Sequence, residues 1–382
     1  MPGVEEPVAL AGTVRARTAE QTWAAVADHL PGFGITRVAD LTGLDVIGLP
    51  VWTAIRPASK TLSTSQGKGA TPLLAKLSAV MEAIELWHAE QPLPAAAVGP
   101  AVEVAPHCPV AALPLTAPHP ADALARVVCE WTAGTTLLSG TTTLLPTDLV
   151  RRRGQRPAWT PDVWRATSTG LACGNTRDEA LLHALFEVAE RDVLYRDGQQ
   201  HGRLRTLIDP GTVDDPHGQE VIGRLRAAGM ALEVSLVDGP YGLPVCLAYL
   251  WSEDYPVLFA GGGCHSVPGI ALTRAVTEAA QSRLAAIAGT RDDLPTAPPA
   301  FDTPSVPQPE PGRPEAWPEV AARYRPPGGG FADQVRAVAR RFESVTGHQP
   351  VALDLSGPHC PVHAVQVLCP GTRSRIRRSM PR

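Results

Sequence analysis

Ser78, Glu82 and Glu85 stand at i, i+4 and i+7, and at roughly 100° per residue that spacing puts them on one face of a helix. Glu179, Glu187 and Glu190, with Arg191 beside them, form a second such stripe; offsets of eight and eleven residues return to within roughly 80° and 20° of the starting direction. Like charges stacked this way repel and weaken a helix. A divalent cation relieves the repulsion, and magnesium takes carboxylate oxygens readily. Apolar neighbours (Met81, Ala83 and Ile84; Leu185, Phe186, Val188 and Ala189) suggest that both stripes are partly buried. The chemistry to which these residues point is metal or metal–nucleotide binding, although the same spacing also describes a solvated acidic face with arginine partners.

Other clusters are weaker. Glu85-Leu86-Trp87-His88 is the Glu-x-x-His pattern of di-iron bundles, but the second helix offers Glu187-Val188-Ala189-Glu190, and His183 follows Glu179 by four residues, so a second copy is missing. Gly67-Lys68-Gly69 precedes the first acidic helix, where glycines let backbone N–H groups approach an anion. It is not the Gly-x-x-x-x-Gly-Lys-Ser/Thr phosphate loop, and a turn with a solvated lysine fits it equally well. Arg274, Glu278, Gln281 and Arg283 share a third helix, where arginines could grip phosphates bidentately or form structural ion pairs. Cys264-His265 is an adjacent pair whose side chains would diverge on a strand, which argues against a nucleophilic cysteine.

The elements that must position these residues follow from pattern. A first helix ends near Leu30, capped by Thr18 or Thr22, and strands are expected at Ile35–Val46 and Val51–Ile55. Long helices are expected over 72–90, 177–195 and 270–289, each fed by a glycine-rich turn (67–69, 170–174, 261–263), a weak internal repetition of one strand–helix unit. Between and after them lie a helix at 215–228, strands at 231–237 and 244–251, a helix at 331–346 and strands at 351–354 and 362–367. Residues 295–318 are proline-dominated and expected as a flexible surface loop. The alternation argues an α/β or α+β architecture.

Composition narrows the class. The chain has 382 residues with 34 basic and 38 acidic side chains, a formal net charge of −4, so there is no global basic field for nucleic acid. No apolar stretch approaches the roughly 18 residues of a membrane span, and residues 1–6 lack the basic-then-apolar order of a secretory signal. Seven cysteines without a CxxC pair disfavour a disulfide framework or a zinc knuckle and read as buried thiols. A cytoplasmic globular protein is expected. Lysine occurs only at 60, 68 and 76, so Lys68 stands out against an arginine-rich background.

Several of these strings together resemble the YcaO family. They are Gly34 to Val38 through Thr42 to Asp45, then Gln66 to Gly69, Ser78 to Glu85, Gly174-Asn175-Thr176 through Ala180, Glu187 to Asp192, and Arg274 to Arg283. The likeness runs from about residue 10 to residue 370. It implies a YcaO-like fold of repeated strand–helix units packed around a nucleotide site, spanning 1–382 as one catalytic domain. The implied activity is ATP-dependent phosphorylation of a peptide backbone amide during maturation of a ribosomally made peptide, with Mg2+ as the ion. By resemblance, ATP would contact Arg15, Thr22, Lys68, Ser78, Glu82, Asn175, Glu187, Arg191, Arg274 and Arg283, with Arg17 competing with Arg15. Mg2+ would be held by Glu82, Glu85, Glu179, Glu187 and Glu190.

Two departures from the family's azoline-forming members bear on the product. The chain ends Arg377-Arg378-Ser379-Met380-Pro381-Arg382 without a Pro-x-Pro-x-Pro tail, and the family pattern starts too early to leave room for a separate leader-binding domain. Leu368-Cys369-Pro370-Gly371-Thr372 also stands where relatives often have Val-Pro-Gly-Leu-Glu. The strings resemble the stand-alone and TfuA-associated branches most, which favours thioamide formation over macroamidine or azoline formation, or over a non-catalytic scaffold. Expected partners are a precursor peptide, a TfuA-like protein and a second copy of the chain; nucleic acid and membrane are not expected.

Overall fold

The computed structural model describes residues 7–152, 162–289 and 312–374. Its helices are α1 (Ala19–Val26), α2 (Pro72–Ala89), α3 (Ala101–Val104), α4 (Ala121–Ala125), α5 (Arg177–Gln199), α6 (Pro216–Ala227), α7 (Pro268–Ala288), α8 (Trp317–Ala321) and α9 (Phe331–Thr346). A hairpin of β1 (Val8–Leu10) and β2 (Thr13–Arg15) precedes a three-stranded sheet of β3 (Arg37–Asp40), β4 (Val51–Ile55) and β5 (Thr64–Lys68). A six-stranded sheet runs β6 (Ala97–Pro100), β7 (Val128–Thr136), β15 (Val351–Asp354), β16 (His363–Leu368), β9 (Leu171–Gly174), with β8 (Thr142–Pro146) also on β7. A five-stranded sheet runs β13 (Phe259–Cys264), β12 (Val245–Trp251), β11 (Ala231–Val237), β10 (Arg205–Asp209), β14 (Glu315–Ala316). The pairings are antiparallel except β10 with β14, so the mixture of helices and sheets expected from the sequence is of the α+β kind.

Three long helices each lie on the strand that feeds them: α2 on β5, α5 on β9, α7 on β13. Glycine makes the close approach possible. A Cβ at Gly67 would overlap the backbone N of Ala79 in α2, and one at Gly261 would overlap Ala275 and Ala279 in α7. The sequence suggested glycine turns at 67–69 and 261–263; instead Gly67 and Gly261–Gly263 lie inside strands and serve as seats for helix backbones. Caps set the helix starts. Thr18 closes a capping box with Gln21, while Thr71 and Thr176 accept from Leu74 and Glu179, each such cap contributing about 1 kcal/mol.

The core gathers around these helices. Leu181, Leu185, Phe186 and Val188 of α5 pack with Val335 and Phe342 of α9, and Val276 and Ala279 of α7 with Ile208, Val234 and Leu250. Most of the proline-rich stretch 295–318 lies outside the described residues, but its end departs from a flexible loop: Glu315–Ala316 adds a strand to β10, and Trp317 is buried in the α7 core. Six of the seven cysteines are buried thiols, and Cys360 is half-buried. No helix among the described residues is long and apolar enough to cross a membrane.

Candidate nucleotide and metal site

A cavity of about 1320 Å³ opens between α2, α5 and α7. It is lined by Ser78, Glu82 and Glu85 from α2, by Glu179, Glu187, Glu190 and Arg191 from α5, and by Arg274 from α7. Arg15, Thr22, Lys68 and Asn175 line it too. Two helices distant in sequence thus bring both acidic stripes to one space, each stripe on one helix face by its spacing.

The acidic groups divide into two kinds. Glu179 is knitted into the protein: it accepts from the backbone N of Ala16 (2.9 Å) and Asn175 (3.3 Å), from Asn175 Nδ2 (3.1 Å) and from Arg15 Nη1 (3.4 Å). Thr22 Oγ1 donates to Asn175 Oδ1 at 2.8 Å. Arg15, Thr22, Asn175 and Glu179 therefore form one hydrogen-bonded wall, with Glu179 as its anchor. Glu85, Glu187 and Glu190 are less well matched. Glu85 accepts from Cys173 N (2.8 Å) and Glu187 from Gly170 N (3.2 Å), while the buried Oε1 of Glu190 has no hydrogen-bond partner among the described residues and faces Arg191 Nη1 at 3.6 Å. Gly262 on β13 leaves the room that the Glu190 carboxylate occupies, since a Cβ there would sit 2.9 Å from Oε1.

Burial and mutual repulsion push these carboxyls upward. Glu187 rises to about 8, first through burial and then through Glu190 and Glu278 against the pull of Arg191. Glu85 rises well above the carboxylate range through burial, with Glu82 and Glu187 adding to it, and Glu190 rises mainly through burial. Arg274 falls to about 10 through burial and the neighbouring Arg15. Each of these carboxyl shifts favours the neutral form, and a bound cation would favour the charged one. Among the described residues no three His, Cys, Asp or Glu side chains converge tightly enough to hold a metal unaided. That suits magnesium, which binds through one or two carboxylates plus phosphate oxygens rather than in an all-protein cage.

Three residues that the sequence reading named without giving them a role in the site line the cavity. Glu278 pairs with Lys68 (Nζ–Oε2 3.2 Å), and although burial opposes it, Lys68 and Arg191 hold its carboxyl below the ordinary value. Gln281 donates to the Gln66 carbonyl at 2.8 Å. His183, discarded on di-iron spacing, lies between Glu179 and Glu187, and burial plus Arg274 and Arg15 keep its imidazole neutral. The signal for Glu278 and His183 was their helical phase with Arg274 and Glu179. One expectation fails on geometry. Arg283 does not line the cavity; its guanidinium is buried, donating to Asp45 (3.0 Å), Ser252 (2.7 Å) and Asp254 (2.8 Å). His88 turns away from Glu85 and meets Cys360 Sγ at 3.5 Å beside Phe33 and Trp87.

Residues 66–373 match the family model described as YcaO cyclodehydratase, ATP- and Mg2+-binding. The chain belongs to the YcaO family. Its YcaO relatives include an uncharacterized protein of Mycobacterium tuberculosis, 38% identical over 301 residues (77% of this chain, 68% of that protein). Another, from Rhizobium leguminosarum bv. trifolii, is described as an uncharacterized protein in the tfuA 3′ region and is 40% identical over 298 residues (73% and 69%). The YcaO of Methanopyrus kandleri, solved with AMPPCP and Mg2+, superposes with a TM-score of 0.69 at 19% identity over 98% of this chain and 99% of that one. A heterocyclase in complex with substrate and cofactor superposes at 0.76 with 21% identity, covering 97% of this chain, which spans only 55% of the heterocyclase. The YcaO fold is thereby established for this chain, and the family's cofactors are ATP and Mg2+.

Proposed function

We propose that this YcaO protein uses ATP and Mg2+ to activate a backbone amide of a ribosomally made precursor peptide, and that the activated amide becomes a thioamide. The observation that carries the nucleotide site is the meeting of Glu82 and Glu85 on α2 with Glu187 and Glu190 on α5 across one cavity, with Lys68, Arg191 and Arg274 among them. ATP would supply the phosphoryl group and Mg2+ the neutralising charge at its transfer. Glu82, Glu85, Glu187 and Glu190 are the groups suited to hold the ion, and Arg191 and Arg274 to meet the phosphates. The wall of Arg15, Thr22, Asn175 and Glu179 orients the nucleotide from one side, with Glu179 as positioning residue. Thioamidation, with a TfuA-like partner, is supported by the Rhizobium relative's tfuA neighbourhood. Cyclodehydration is the second reading, supported by the description of the family model and by the heterocyclase's shared fold.

Calorimetric titration with AMPPCP and Mg2+ tests the site. Saturable, Mg-dependent binding is expected, and Glu82→Ala or Glu190→Ala should abolish it in folded protein. Unchanged affinity in both variants would overturn the assignment. Mass spectrometry of a co-incubated precursor peptide separates the products: a gain equal to sulfur minus oxygen marks thioamidation, and loss of one water marks cyclodehydration.

A further inference from the structure

The cavity is larger than a small-molecule site requires. Its volume of about 1320 Å³ exceeds the roughly 300–1,000 Å³ typical of such pockets, and its surplus is chemically distinct. Beyond Glu85 the lining is mainly basic: Lys60, Arg151, Arg152 and Arg165 gather there with Asp148 as one acid among them, in a chain whose net charge is −4. Packing puts them together. Arg152 N donates to the carbonyl of Ala89, the last residue of α2, at 2.7 Å, and Lys60 Nζ donates to the carbonyl of Glu90 at 3.0 Å. Leu149, Val150, Val163 and Trp164 share one apolar cluster, and the residues that follow them, Arg151 and Arg165, both line the cavity.

Three acids stand nearby: Glu90 is buried against Arg56 (2.6 Å) and Thr61, Asp162 pairs with Arg165 (2.6 Å), and the buried Asp148 also lines the cavity. Among the described residues the buried Nε of Arg151 has no hydrogen-bond partner, so at least one strong donor on this rim is unmatched by them.

Resting on the proposed amide-activating role, we infer that this rim selects precursor peptides carrying an Asp or Glu close to the modified amide. The distance sets the register. Ala89 lies four residues beyond Glu85, about 6 Å along the helix. An extended peptide covers about 3.5 Å per residue. An amide activated beside Glu85 and Glu187 therefore puts a side chain about two residues away at the basic rim, where Arg152 N meets Ala89. A carboxylate there is a planar, bidentate match for a guanidinium.

The test uses fluorescein-labelled Gly-rich heptapeptides, blocked at both ends, with Glu, Gln or Lys two residues from the central Gly. Anisotropy is read with full-length protein, with and without AMPPCP and Mg2+. The Glu peptide is expected to bind about tenfold or more tighter than the Gln peptide, as for a charge-assisted hydrogen bond, with the advantage shrinking as salt rises. Arg151→Gln with Arg165→Gln should erase that advantage and leave AMPPCP affinity unchanged. Equal binding of the Glu and Gln peptides by the parent protein would overturn the inference. So would a parallel loss of AMPPCP affinity in the double variant, which would assign the rim to the nucleotide. A Glu preference with no AMPPCP binding would uphold the rim and count against the ATP reading alone.

Discussion

At neutral pH the Glu187 carboxyl, pushed up to about 8 chiefly by burial, is held largely as the acid, whereas in the unfolded chain it ionises near the ordinary 4.5. The folded state then binds more protons than the unfolded one across that interval, and stability falls as pH rises through it. Glu85 and Glu190 shift in the same direction. Melting of the ligand-free protein is therefore expected at progressively lower temperature from about pH 5 to about pH 8, and Glu187→Gln, a neutral stand-in for the acid, should flatten the slope. Parallel slopes for the two proteins would show that Glu187 ionises normally. The two acidic stripes were legible in the sequence because helical phase is a local property. Arg283 was not: its place depends on Asp45, 238 residues away, and on Asp254, and no spacing rule distinguishes a phosphate-binding arginine from one that holds two carboxylates.

At the scale of elements, the long helices and most strands were readable from periodicity, because each buries one apolar face. The glycine-bearing strands were not. Glycine signals a turn to any local reading, yet Gly67 and Gly261 sit in strands because a helix backbone lies against them, a contact visible only once the helix has folded back. Gly261→Ala is expected to destabilise by about 3 kcal/mol or more, since the obstructing atoms are backbone and cannot rotate away. Gly223→Ala is the control: it lies in the middle of α6 with nothing within 4 Å of its would-be Cβ, and should stabilise by about 0.5–1 kcal/mol. Denaturant unfolding measures both, and similar effects from the two substitutions would refute the packing argument.

At the scale of the molecule, Arg283 ties α7 to the loop after β3 through Asp45, whose side chain is only 4% exposed. Arg283→Leu leaves that carboxylate buried without its partner, a loss of about 3–5 kcal/mol. Urea titration should report it, while the folded fraction keeps its AMPPCP affinity because the guanidinium lies outside the cavity. A selective loss of nucleotide affinity without loss of stability would restore Arg283 to the site. The distribution of thiols has a practical consequence. With Cys108, Cys129, Cys173, Cys246, Cys264 and Cys369 buried and only Cys360 half-buried, the native chain comes with a single addressable attachment point. A maleimide dye placed there rests against His88, one helical turn from Glu85 on α2. Its emission would follow occupancy of the cavity without any engineered cysteine, and the stoichiometry of labelling in native buffer against urea, one dye against seven, is a direct count of how many thiols the fold conceals.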